Sequence, residues 1–158
     1  MLLLNELRGE NCELEMVAGG CDADCHRRRF KTKLISMGMS GYNRVIIEPS
    51  GIFDVDEFFD SLRDEPLDRW YEIGNVITIV NAKLDENLSD DSDFFLASQI
   101  ANSGIILLSR SQLTDEAHIN ATISHLKKAS EKAKLDKNID SIIFSKDWNE
   151  LTSEDFEK

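Results

Sequence analysis

Four short runs of branched aliphatic residues, VII in "NRVIIE", VITIV in "NVITIVNA", IILL in "GIILLS" and IIF in "DSIIF", limit what this chain can fold into. A strand with no charged alternation needs both faces covered, and that occurs in sheets whose strands are joined by crossover helices. The intervening segments have the period and length for that job. Phe30, Leu34 and Met37 recur at helical spacing within His26–Met39, and Val55, Phe58, Phe59 and Leu62 line a helix that Asp54 can cap. Asp91–Ser103 reads as a helix with an Asp or Ser cap, and Thr114 and Glu116 open a longer one carrying Ile119, Ile123, Leu126 and Ala133. Upstream, Cys12–Ala18 alternates like a half-buried strand and stops at Gly19-Gly20. The expected fold class is α/β: a mostly parallel sheet over Asn43–Glu48, Asn75–Ala82, Gly104–Ser109 and Asp140–Ser145, with helices on both faces.

At 158 residues and 41% hydrophobic, residues 1–158 are expected to form one domain, ending in a polar tail over 146–158. Ligands of parallel sheets sit beyond the carboxyl ends of the strands. Those ends here carry Gly19-Gly20-Cys21, Glu48-Pro49-Ser50-Gly51, Asn81-Ala82-Lys83 and Ser109-Arg110-Ser111-Gln112. A net charge of −12 disfavours an electrostatic grip on nucleic acid or anionic lipid. With no apolar run near the roughly 20 residues that span a bilayer and no signal peptide, the expectation is a cytoplasmic chain without a membrane partner. Three cysteines do not make a disulfide framework; Cys12 is read as partly buried, and Cys21 and Cys25 as thiols. The acidic run Asp85–Asp93 is read as a solvated loop.

The order "VIIEPSGI", helix, "NVITIVNA", "SQIANSGIILLSR", from about Glu13 to about Gln112, resembles the CobW/HypB/UreG family of GTPases, in its CobW-like branch. The resemblance implies a P-loop NTPase-like G domain that uses GTP and Mg²⁺ and hands a metal to a client protein. Its E-x-x-G segment senses the terminal phosphate. By that match Glu48 would orient Mg²⁺ and Gly51 would bring a backbone N–H to the γ-phosphate, the pair implied to carry catalysis, with Ser50 beside the nucleotide. A hard divalent ion prefers carboxylate oxygen, and a residue without Cβ lets backbone approach phosphate.

Three departures stand against the family pattern. The glycine-rich G-x-x-x-x-G-K-(S/T) loop that cradles phosphates is absent, and no Gly-Lys pair occurs. The resemblance places the first strand, P-loop and first helix ahead of Met1, with residues 1–12 as a switch I remnant. Two origins are open, a truncated product and a paralogue without catalysis, and the intact Glu48–Gly51 favours the former. Where the family reads guanine with N-K-x-D, the chain has Ser109, Arg110, Ser111 and Gln112; glutamine offers no charge, so adenine or no nucleotide becomes plausible. Where the family has a G-C-x-C-C metal loop, the chain has Cys21, Asp24, Cys25 and His26, a donor set suited to Zn²⁺ but strained by three adjacent ligands. The alternative is that Asp24 caps a helix and the thiols are unligated.

Other residues carry plainer expectations. His118 and His125 are read as surface histidines, Trp70-Tyr71 as packing the loop between helix and strand, and Trp148 as anchoring the tail. Arg27, Arg28, Arg29 and Lys31 form a basic patch, either solvated or in contact with a phosphate or acidic partner. A sheet without its first strand has unpaired edges, which predicts a partner strand, as in a homodimer, or a rearranged sheet. Beside the GTPase-type metal chaperone stand a nucleotide-independent metal-binding module and an interaction scaffold without chemistry.

Overall fold

The computed structural model describes residues 9, 12–17, 23–49, 55–85 and 87–156. They fall into two compact units, one within 1–50 and 56–72, the other within 51–55 and 73–158.

In the first unit, α1 (Ala23–Met39), α2 (Val55–Arg63) and α3 (Leu67–Trp70) pack through the side chains whose spacing marked them. Leu34 and Phe59 are buried, and the Phe30 ring lies 5.5 Å from that of Phe58. Arg27 and Lys31 reach Asp64 from the same side of α1, at 3.4 and 3.3 Å. The Tyr71 hydroxyl donates to the Leu34 carbonyl at 2.7 Å. Gly38 lets the Trp70 ring approach α1: a Cβ there would lie 2.9 Å from Trp70 Cε3. Trp70 and Tyr71 therefore pack against α1, and two members of the basic patch are ion-paired rather than solvated.

Two expected strands do not form. Residues 13–17 carry no strand, and the neighbourhood shows only an isolated antiparallel bridge between Gly9 and Cys12, with Cys12 exposed. Residues 43–49 have no ladder partner among the described residues, and Ile46 is 88% exposed. A strand is a pairing, not a local state; without a neighbour its N–H and C=O groups are left to water.

The second unit holds β1 (Ile77–Asn81), α4 (Asp90–Ala101), β2 (Ile105–Ser109), α5 (Glu116–Lys132) and β3 (Ile143–Phe144). The sheet is three-stranded and parallel, in the order β1-β2-β3, with Ile77 opposite Ile105 and Asn81 opposite Ser109. The α/β class is thus present. β2 is central and its first four residues are buried. Val80, Ile106 and Leu108 share one sheet face and pack with Ile100 of α4 and Leu126 of α5. The Thr78 hydroxyl donates to the Gln99 carbonyl (3.3 Å) and bonds the Ser103 hydroxyl on that face.

Three details differ from the expectation. β1 buries alternate residues only: Thr78 and Val80 face the packed helices, while Ile77 and Ile79, 42% and 65% exposed, point to the opposite sheet face, which is uncovered at this strand. β3 is two half-buried residues, since the backbone over Ile139–Ser141 turns as a 3-10 helix first. The acidic run is partly helix: Ser89 accepts from the Ser92 N–H, and Asp90, Asp91 and Asp93 occupy the first turn of α4, where the helix dipole favours them.

The tail is tied down without its tryptophan, since Trp148 is 72% exposed. Lys146 pairs with Asp155 at 2.6 Å, Asp147 and Glu150 form a capping box, and the Asn75 side-chain amide donates to the Phe156 carbonyl.

Candidate functional site

In the second unit the parallel register brings the carboxyl ends of β1, β2 and β3 to one end of the sheet. Asn81 closes β1 with its side-chain oxygen accepting the Lys83 N–H at 3.1 Å. The Ala82 N–H donates to the Ser109 carbonyl at 2.9 Å, and the Ser109 hydroxyl donates back to the Val80 carbonyl at 3.2 Å. Ser109 is thereby spent on fixing the strand ends. The next residue, Arg110, has φ 62° and ψ 23°, the left-handed conformation that non-glycine residues rarely adopt. It turns the chain into the 3-10 helix Ser111–Leu113, where the buried Ser111 hydroxyl reaches toward the Lys146 carbonyl (3.5 Å) beyond β3. Exposed Asn81, Arg110 and Gln112 remain.

This end can donate and accept hydrogen bonds through two amides and present one guanidinium. No carboxylate lies among Ser109–Gln112 to accept paired N–H groups. Sequence reasoning passed over Lys146, the first residue beyond the expected fourth strand. Its ammonium is held by Asp155, whose carboxyl sits below the ordinary carboxylate range because of that bond and the Thr152 N–H. Thr122 was also missed: its buried hydroxyl donates to the Ala82 carbonyl at 2.8 Å and holds the β1 end onto α5. A small polar residue among the apolar positions of a helix was the available signal.

Glu48 belongs to the first unit, outside any helix or strand, and is exposed. Ser50 and Gly51 lie outside the described residues, as do the Asp54 cap and Cys21. Asp24, Cys25 and His26 are successive residues in the first turns of α1. Neighbours on a helix diverge by about 100°, so Asp24 and His26 leave α1 about 160° apart, with Cys25 between them. Among the described residues no three His, Cys, Asp or Glu side chains cluster as a metal site.

The histidines are not alike. His118 is exposed and meets Asp115, the cap of α5, at 2.7 Å. His125 is only 17% exposed and its Nε2 lies 2.8 Å from Asp93 Oδ1, bridging α5 to the first turn of α4. The expectation of a surface histidine fails there. A helix pair on one sheet face brings their flanks together, which spacing along α5 alone does not show.

The family model of the CobW/HypB/UreG nucleotide-binding domain matches residues 4–138. The chain belongs to the CobW/HypB/UreG family. The match takes in both compact units and ends before the polar tail. Searches of the curated proteins and of the solved structures found no match. A parallel α/β sheet with its polar residues at the strand ends is the architecture such a nucleotide-binding domain requires. Residues 1–158 of this CobW/HypB/UreG sequence contain no G-x-x-x-x-G-K-(S/T) phosphate-loop motif. Among the described residues, no helix is long and apolar enough to cross a membrane.

Proposed function

We propose that this chain is a partial nucleotide-binding domain of a CobW-like GTPase that delivers metal to a client protein. The reading gives it the sensing side of the machine without the side that grips phosphate. The family match over residues 4–138, in a sequence with no G-x-x-x-x-G-K-(S/T), carries the reading. Glu48 and Gly51 are assigned to Mg²⁺ and the γ-phosphate, and Ser50 to the nucleotide beside them. The Ser109–Gln112 turn, with Arg110 and Gln112, is assigned to the base side. Phosphoryl transfer is catalysed almost wholly by positioning and charge stabilisation, so a chain lacking the cradle should not turn over GTP. Incubation with GTP and Mg²⁺ tests this. Phosphate release at the uncatalysed rate is expected, and release above that rate, abolished by Glu48→Gln, would overturn the assignment of an inactive partial domain.

A further inference from the structure

In the parallel register Ile77 lies opposite Ile105, Ile79 opposite Leu107, and Leu107 opposite Phe144, so these five side chains share one face of the sheet. The other face, with Val80, Ile106 and Leu108, is the one packed by Ile100 of α4 and Leu126 of α5. Lys146 leaves β3 at its carboxyl end, where its carbonyl is met by the Ser111 hydroxyl at 3.5 Å. Its ammonium pairs with Asp155 at 2.6 Å. The next residue, Phe156, accepts through its carbonyl from the side-chain amide of Asn75, two residues ahead of β1. Those contacts join opposite corners of the sheet. At about 3.3 Å per residue along a strand and about 4.8 Å between strands, Lys146 and Asn75 lie about 20 Å apart, diagonally across β2. One lysine side chain, a carboxylate, one peptide unit and an amide bridge that span only in a nearly straight line.

We infer that residues 146–156 are a releasable strap across the second sheet face, latched at Lys146–Asp155 and Asn75–Phe156, whose opening unmasks Ile105 and Leu107 beside the more open Ile77 and Ile79. Helices fill the first face, so the diagonal runs over the second, across the middle of β2. Burial follows that path. Ile105 and Leu107 are buried, whereas Ile79, at the corner the diagonal leaves open, is more exposed than Ile77, which lies nearer Asn75. The Asp155 side chain is only 12% exposed although it is a carboxylate, as a group lying on the sheet would be. Thr152 aims it, donating to the second carboxylate oxygen through its N–H at 2.9 Å and its hydroxyl at 3.2 Å. Between its latches the strap holds only two 3-10 turns, Trp148–Glu150 and Ser153–Phe156. One ion pair and one hydrogen bond are latches weak enough to open while the sheet stays folded. The strap lies beyond the family match, which ends at residue 138, and is independent of the nucleotide reading.

The test uses the full chain with isotope-labelled isoleucine and leucine methyls, and a soluble nitroxide that broadens the signals of exposed methyls. In the wild type Ile77 and Ile79 should broaden and Ile105 and Leu107 should stay sharp. K146E sets a carboxylate against Asp155. There Ile105 and Leu107 should broaden about threefold more than in the wild type, while Ile106 and Leu108, on the helix-packed face, stay as sharp as before. The charge-swapped K146E/D155K chain should restore the protection. Circular dichroism checks the fold; should K146E lose the sheet, D155N takes its place, with a smaller effect expected. Ile105 and Leu107 still protected in the opened variants, Ile106 and Leu108 broadened along with them, or a charge swap that restores nothing would each overturn the inference.

Discussion

The Thr122 hydroxyl donates to the Ala82 carbonyl at 2.8 Å, with both residues buried. This one bond fastens the middle of α5 to the carboxyl end of β1, the edge of the candidate base-side surface. It satisfies a carbonyl that the ladder no longer reaches, because β1 ends at Asn81.

Replacing Thr122 by Val keeps the shape and removes the donor, so the Ala82 carbonyl is left buried without a partner. The expected cost is about 1–3 kcal/mol, the desolvation penalty of an orphaned acceptor. Urea denaturation should show a lower midpoint with an unchanged slope. Thr122→Ser, which keeps the hydroxyl, should recover most of the loss; a Val variant as stable as wild type, with the loss falling on the Ser variant, would mean that packing, not the bond, holds α5.

Asp155 ties the tail to Lys146, and its carboxyl is held below the ordinary value of 3.8 first by the Lys146 bond and then by the Thr152 N–H. A group whose native pKa is depressed contributes stability above its unfolded value and loses it as pH falls through the native one. The tail should therefore stay docked at neutral pH and release only as the pH falls below the ordinary carboxylate value of 3.8. Limited proteolysis within 146–156 reads this: wild type should be resistant at pH 7, and Asp155→Asn should be cut faster at that pH.

Metal affinity tests the Cys21–His26 loop. Adjacent side chains on α1 point about 100° apart, so Cys25 can share an ion with Asp24 or His26 only where the first turn unwinds. The expected ligands are then Cys21, Cys25 and one of that pair. Titration with Zn²⁺ should show weaker binding in the Cys21→Ala, Cys25→Ala variant by about tenfold or more. Cobalt(II) in place of zinc should give a thiolate charge-transfer band that the variant lacks. Equal affinity in both chains would remove the loop from consideration.

How far the residues spoke for themselves depended on whether a feature is local. The helices were legible because their periodicity is local: Phe30 and Leu34 pack on the α1 face that spacing assigns them. β2 was legible because four successive buried aliphatics have few other homes. Arg110 and Gln112 were found at a strand end because parallel sheets expose polar residues there. What failed was non-local. "RVII" has the composition of a buried strand, but composition does not supply a neighbour, and Ile46 stands in water. His125 read as a surface residue because Asp93, its partner, lies 32 positions away on another helix.

Arg110 joins the last legible residue to a backbone property that sequence hides. An L-residue with φ 62° carries a cost of about 1 kcal/mol that glycine does not. Arg110→Gly should therefore stabilise the second unit by about 0.5–1 kcal/mol, after allowing for the greater freedom of glycine in the unfolded chain. Arg110→Ala keeps the strain and removes the guanidinium, so it should leave stability within about 0.5 kcal/mol of wild type. If the turn serves the base side, both variants should lose any nucleoside binding seen by saturation-transfer NMR with guanosine or adenosine, despite their different stabilities. Loss in one variant only would point to backbone geometry instead of charge as what the turn provides. A stability drop in Arg110→Gly would show that the guanidinium contributes more to the folded state than the left-handed turn costs.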